Sequence, residues 1–579
     1  MFVTVATITL DQPFTRITIS TRRRFQLKRG HLIREAADAH TCCSLEFIQS
    51  SKNHIHHSNI SRQHPLLKQT MDLNSLSIYK TPGGAVAVLL AAITCWWLAT
   101  ALIAWNRLKH IPGPWVAGFT YAWAGWTEYS GKQHFSFLDL ETKYGSLVRI
   151  GPELLATSDV EVVRRMSGRK STYRKSSWVD GVRLNPYHET MFGVRDPIEH
   201  DRIKTRLAPT YSGRDTPHLE SVVDQQVNNL VSLIRRKYVS DPTSGDFRVM
   251  SLIKVASYLT LDVISKVGLG TEFGCCASDS DPYGFNKAVA EHMPLMAMTS
   301  GVPWMRNVFC SPLFLKYFGP KDTDTYGIGP LIKVTNDNVR ARYSQEDSGK
   351  RDMLSSLKAS GLPEGEAQAE ALFLFIAGSD TTASAIRVTM FYIISSPRVY
   401  QKLKKEIRKA IHEGRASSPI TVAQARELPY LQAVIYEGLR IRPVTTGPQS
   451  KEVPPGGDTI NGHFIPEGTS IAINFPAIMG SKKLFGPDAD VFRPERFTDL
   501  QDPDLAEMRR NVEMNFGNGR WMCAGKPIAF MELHKVYFEL LRAFDFQLVE
   551  PLKPMTSESY SLFRDHGLNV RVTLAEDME

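Results

Sequence analysis

The sequence predicts a mainly α-helical domain with a minor β region, preceded by a single N-terminal transmembrane helix. Three observations carry that prediction. Apolar residues recur at helical spacing over long stretches such as Leu219 to Arg236 and Leu252 to Val267. Strand-like sequence is confined to a short hairpin pattern, Gly145 to Asp159, and to a Pro- and Gly-rich region from Pro443 to Phe497. One run, Gly83 to Trp105, carries no charge over a length that can cross a bilayer, which takes about 20 residues.

Taken in order, residues 1–70 form a basic leader that matches no targeting pattern. It contains "TRRRFQLKRG" and is rich in Arg, Ser and Thr, yet Asp11, Glu35, Asp38 and Glu46 are acids that a mitochondrial transit peptide avoids. An apolar run follows Met71 closely, so Met71 is read as the true start and residues 1–70 as not translated or not retained. Residues 83–105 are read as an anchor rather than a secretory signal, whose apolar region is typically ~7–15 residues. Arg107, Lys109 and His110 come next and place the C-terminal bulk in the cytosol by the positive-inside rule. Residues 106–118 make a stiff hinge, because Pro112 and Pro114 forbid continuation of a helix.

Residues 119–579 show no repeat, no low-complexity block and no Ser/Gly linker, and read as one catalytic domain. The longest apolar helix after the anchor starts near Pro363 and must end by Pro397. A further helix runs from about Ala524 to Phe544. The formal net charge of +9 is concentrated in the leader, and no basic helix or zinc-finger spacing occurs, so nucleic acid is excluded as a partner. Seven cysteines include the adjacent pairs Cys42–Cys43 and Cys275–Cys276, poor geometry for bridges, which points to a reducing compartment.

The chemistry centres on "FGNGRWMCAG", Phe516 to Gly525. A cysteine ligates a metal as thiolate, and a helix N-terminus favours that form through its dipole and free amides. Cys523 sits before such a helix, and Gly519 and Gly525 lack side chains where a flat cofactor needs close backbone approach. A lone cysteine there is more often an inert buried residue. The full pattern Phe516-Gly517-x-Gly519-x-x-x-Cys523-x-Gly525 resembles the cysteine-ligand loop of the cytochrome P-450 haem-thiolate monooxygenases.

Other landmarks of that family follow in order. "AGSDTT", Ala377 to Thr382, is similar to the oxygen-activation motif and lies inside the long apolar helix. Asp380 and Thr381 are polar groups in an apolar segment, and a Gly beside Thr is expected to weaken the helical ladder and leave a carbonyl open to water. A helix N-cap around Ser379–Asp380 is the alternative. "EGLR", Glu437 to Arg440, resembles the family's bracing pair, with Arg496 of "FRPERF" as third member through bidentate bonds. The same i, i+3 spacing recurs at Glu161/Arg164, Glu199/Arg202 and Glu507/Arg510, so spacing alone does not select it. The family usually has a basic residue two places before the cysteine; here Trp521 stands there and the charge is at Arg520. His200, Lys204 and Lys451 match other positions that hold haem propionates, and Trp521 is expected to pack beside the porphyrin edge.

The resemblance implies haem b bound through Cys523, with electrons from NADPH through a flavoprotein reductase and cytochrome b5 as a second donor. It implies proton delivery by Asp380 and Thr381, and one oxygen atom inserted into a lipophilic small molecule. "TLDVISKVGLG" and "CAGKPIAFMEL" look like fungal microsomal members near the pisatin demethylase type, which implies the endoplasmic reticulum membrane and secondary metabolism. Family position puts specificity in loops at Lys175–His188, Met293–Trp304, Val444–Pro448 and Ser559–Phe563, and a reductase-facing basic patch at Arg202, Arg206, Lys526 and Lys535. The competing functions are a haem-thiolate isomerase or dehydratase needing no reductase, and a non-catalytic membrane haem sensor.

Overall fold

The hydroxyl of Thr81 accepts a hydrogen bond from Gly84 N at 3.1 Å and, with Pro82 in the first turn, starts helix α1 (Pro82–Leu108). The structure, a computed structural model, describes residues 81–346 and 349–576. The expectations for the leader and for Met71 lie outside the described residues. Helix α1 exposes Leu89, Trp96, Leu102 and Ile103 along most of its length. It continues three residues into the predicted hinge. Its C-terminal end is held by Arg149, a buried side chain that donates to the carbonyls of Ala104, Trp105, Gly118, Gly151 and Pro152 at 2.8–3.2 Å. Arg107 adds an ion pair to Glu153 at 2.7 Å.

Helix α2 (Ala122–Tyr129) leads to the predicted hairpin, β1 (Leu147–Gly151) and β2 (Leu154–Thr157). Strand β3 (Arg174–Lys175) precedes a series of helices: α3 (Pro197–Tyr211), α4 (Leu219–Lys237), α5 (Leu252–Leu269) and α6 (Phe285–Gly301). Helix α5 is buried on nearly every side and stops at Gly270, whose φ of 70° is the left-handed cap. The long apolar stretch forms one helix, α7 (Glu364–Ser395), bounded by Pro363 and Pro397 as expected. It crosses α5 closely and is enclosed by protein, unlike α1. Helix α8 (Pro429–Ile441) is followed by β4 (Lys451–Glu452) and β5 (Ser470–Ile473). Helix α9 (Lys526–Ala543) packs on α4 and α7, and the chain then makes the hairpin β6 (Met555–Tyr560) and β7 (Leu562–Gly567).

The main sheet has the order β1-β2-β5-β4-β3, with β2 and β5 parallel and the other pairs antiparallel. Sequence reading missed the C-terminal β structure. Besides β6 and β7, strands Phe544–Leu548 and Asn569–Leu574 join Val249–Ser251 in a second sheet. The alternation of "NVRVTL" carried that signal. The stretch Met293–Trp304, expected as a loop, is mostly helix α6 despite Pro294, because Met293 and Ala297 pack against Tyr560 and outweigh the proline.

Candidate functional site

The cysteine loop closes on itself: Cys523 N donates to Phe516 O at 2.6 Å. Gly517 has φ of 76°, and a Cβ there would lie 2.6 Å from Trp521 O. Gly519 has φ of 55°, and its Cβ would meet Ser167 O at 2.2 Å. The protein's own backbone therefore already demands glycine at 519. At Gly525 only Cys523 Sγ lies within contact of a Cβ, at 3.8 Å, so its bareness answers no crowding from the chain. Helix α9 begins at Lys526, two residues later than expected, with Gly525 as its cap. Cys523 is reachable by solvent, yet burial pushes its thiol up; the amides of Gly525 and Lys526, then the ammonium groups of Lys204 and Lys526, pull it back. The thiol is thus open to solvent yet closely surrounded by protein. Phe516 packs on Phe530 behind the loop, with ring centroids 5.3 Å apart.

Trp521 is the hub of a basic cluster. Lys175 Nζ and Lys451 Nζ stand 4.9 and 4.7 Å from its ring centroid, and the His200 ring centroid is 4.4 Å away. Burial lowers all three basic groups: Lys451 to about 7, His200 to about 3, and Lys175 well below its ordinary value. Lys204, one turn after His200, is engaged elsewhere: its ammonium donates to the carbonyls of Arg520 and Met522 at 2.8 and 2.7 Å. Arg520 also faces away, donating to Asp201 Oδ2 at 2.9 Å and to the carbonyls of Ser171 and Arg169.

Glu437, Arg440 and Arg496 meet in the core with side chains at most 1% exposed. Arg440 Nε and Nη2 donate to the Glu437 carboxylate at 2.7 and 2.8 Å, and Arg496 Nε straddles its two oxygens at 3.0 and 3.1 Å. The remaining guanidinium hydrogens bind the carbonyls of Phe485, Asp488, Ala489 and Val491, which ties α8 to the segment before the cysteine loop. The pairs Glu161/Arg164, Glu199/Arg202 and Glu507/Arg510 have the same spacing but lie at the surface. Burial, not spacing, separates the brace from its imitations.

Helix α7 runs unbroken through Ala377–Thr382, so the N-cap alternative fails. The carbonyl expected to be open to water is occupied: Thr381 Oγ1 donates to Ala377 O at 2.8 Å. Gly378 has a second reason to be there, since a Cβ would press to 3.0 Å from Ile264 Cδ1 on α5. Asp380 leads into a buried charge chain. Arg387 Nη1 is 3.3 Å from Asp380 Oδ1, Arg387 Nε is 2.6 Å from Asp565 Oδ2, and Arg442 forks onto both Asp565 oxygens at 2.7 and 2.8 Å. Burial pushes the Asp380 carboxyl up and Arg387 holds it back, while Arg442 and Arg387 hold Asp565 far below the usual range. Sequence reading missed Arg387, although an arginine inside the apolar run "ASAIRVTMFY" was a legible signal.

Around the expected specificity segments, Glu128 on α2 is buried against Gly301 of α6, near Ser561 at the β6–β7 turn and Gln133. Thr446 Oγ1 donates to Gln133 Oε1 at 2.6 Å, which joins Val444–Pro448 to the same corner. Burial with no cationic neighbour pushes Glu128 up to about 8. Of the expected basic patch, Lys535 is fully buried with Glu220 and Asp224, so it presents no charge to a partner. Lys526 pairs with Glu513 at 2.8 Å.

The family description "Cytochrome P450" matches residues 112–568. The chain belongs to the cytochrome P450 family. Cytochrome P450 monooxygenase aba1 of Botryotinia fuckeliana (strain B05.10) is 45% identical over 473 residues, 82% of this chain and 93% of that protein. Cytochrome P450 monooxygenase abl1 of Leptosphaeria maculans is 42% identical over 479 residues, 82% and 84% of the two chains. Pisatin demethylase of Fusarium vanettenii is 28% identical over 473 residues, 80% and 88%. This P450 is therefore a monooxygenase of the fungal kind, and a P450 works with a haem iron held by a cysteine thiolate.

The residues present fit that group. Trp521 Nε1 is buried without a hydrogen-bond partner, beside two ammonium groups that make no ion pair among the described residues, the chemistry that suits a dianionic porphyrin edge. Gly525 leaves space next to Cys523 Sγ.

Proposed function

We propose that this P450 is a membrane-anchored monooxygenase that inserts one oxygen atom from O2 into a lipophilic small molecule in fungal secondary metabolism. The observation that carries it is Cys523: a reachable thiol on a self-closed loop, whose negative charge is favoured by the backbone amides of Gly525 and Lys526 and by the nearby charges of Lys204 and Lys526. In this reading Cys523 would hold the iron of a haem through its thiolate, and that group would supply the activation of dioxygen. Phe516, Gly517, Gly519 and Gly525 shape the loop that presents the sulfur, and Glu437, Arg440 and Arg496 brace it from below. Asp380 and Thr381 would deliver protons within the site: the Thr381 hydroxyl can leave Ala377 O to orient a water, and Asp380 is refilled from solvent as its bond to Arg387 opens.

Residues 83–105 serve as the anchor, 106–118 as the hinge and 119–579 as the catalytic domain, facing the cytosol from the endoplasmic reticulum membrane. Support comes from the apolar exposed face of α1, from exposed Trp115 on the turn packed against it and Trp126 on α2, which packs on that turn, and from exposed Trp304 and Phe318 on the two short helices that follow α6. Electrons come from NADPH through a flavoprotein reductase, with cytochrome b5 as a second donor. The test is spectroscopic. The parent, reduced under carbon monoxide, should give the red-shifted band of a thiolate-bound haem, and Cys523→Ala should lose it. A band unchanged by that substitution would sink the assignment.

A further inference from the structure

The basic residue that P450s usually carry two places before the cysteine is absent, and its neighbours do not replace it. Arg520 points away to Asp201, Ser171 and Arg169, and Lys204 closes the loop's own carbonyls. What occupies that corner is a buried indole N–H with no acceptor, on Trp521. A buried donor in a well-packed site ordinarily has a partner, so an orphan points to a missing acceptor. The two lysines tell the same story by charge. Lys175 and Lys451 are directly opposed in the β3–β4 pair, a placement that sets like charges side by side. The Lys175 ammonium reaches the Phe192 carbonyl, and no carboxylate pairs with Lys451 among the described residues. Both ammonium groups lie against the Trp521 ring, whose π face attracts them, so the indole holds them where its N–H edge emerges.

We propose that Trp521 donates its indole N–H to a haem propionate, with Lys175 and Lys451 as the paired counter-charges, in place of the missing basic side chain. This rests on the haem reading above, and it moves the propionate site away from Lys204. Lys204 and Arg520 become residues that shape the loop. His200, against the same ring, fixes the indole's orientation.

The experiment uses purified holoenzyme and two readouts besides turnover: the rate of haem transfer to excess apomyoglobin, and the propionate-bending band in resonance Raman. Trp521→Phe keeps an aromatic face for the lysines but no donor; it should release haem roughly ten- to hundred-fold faster, the scale of one lost bond to a charged group, and shift the propionate band. Trp521→His restores a ring N–H and should recover most of the retention. Lys451→Met should also speed release, whereas Lys204→Met should leave the propionate band where it was. A parental release rate and band in Trp521→Phe would overturn the proposal. If Trp521→Phe yields no holoprotein, the band in Lys451→Met decides in the same two directions. Loss of the carbon monoxide band in the parent would instead condemn the thiolate reading, so the two failures are distinct.

Discussion

Arg387 lies two turns beyond Asp380 on α7, and its guanidinium spans from Asp380 Oδ1 at 3.3 Å to Asp565 Oδ2 at 2.6 Å. The carboxyl proposed to relay protons is thereby coupled to the β6–β7 hairpin that borders the expected substrate segments. Arg387→Lys keeps the charge but not the fork. Asp380, already pushed up by burial, loses part of the cation that holds it back, so its ionisation moves to higher pH. The acidic limb of the turnover profile should shift upward in pH. A profile that superimposes on the parent's would show that Arg387 does not tune Asp380.

Thr381→Ala removes only a hydroxyl bonded to the preceding turn of an unbroken helix. Folding stability should change by less than about 1 kcal/mol, while product formed per NADPH consumed falls and peroxide rises. Equal coupling in the two proteins would remove Thr381 from the proton path.

Glu437→Gln strands two buried guanidinium groups, a change that costs about 3–5 kcal/mol when a buried pair is broken. Glu161→Gln, at an identical spacing on the surface, should cost no more than about 1 kcal/mol. Thermal unfolding of the two variants side by side measures the contrast.

Glu128 supplies a pH test. Its folded value of about 8 is above the ordinary 4.5, so the native state keeps a proton that the unfolded chain releases. Stability from this group is full below about pH 4.5 and is lost progressively as pH rises to about 8. Glu128→Gln cannot ionise, and its thermal midpoint should exceed the parent's at pH 8.5 by much more than at pH 5. The same gap at both pH values would contradict the buried, unpaired state of this carboxyl.

Much of this was legible in the sequence, and the reasons for the rest are physical. Helices α4, α5 and α7 announce themselves through long apolar periodicity and proline boundaries, which tertiary packing reinforces. The brace was legible only through the order of motifs, because Glu437 and Arg440 differ from Glu161 and Arg164 in burial, a property spacing does not encode. Lys175 was read as the edge of a loop; a two-residue strand opposite Lys451 has too little pattern to show a pairing. The backbone demand for glycine at 519 was hidden for a similar reason, since Ser167 is distant in sequence and adjacent in space.

Arg149 gathers carbonyls from the end of α1, from the turn after it and from the β1–β2 hairpin onto one guanidinium. A helix ending this way behaves as a mast stepped into a hull rather than as a mooring rope. Were α1 to cross a bilayer as proposed, its axis would then dictate the heading of the β1–β2 hairpin, and of the domain built on it, relative to the lipid.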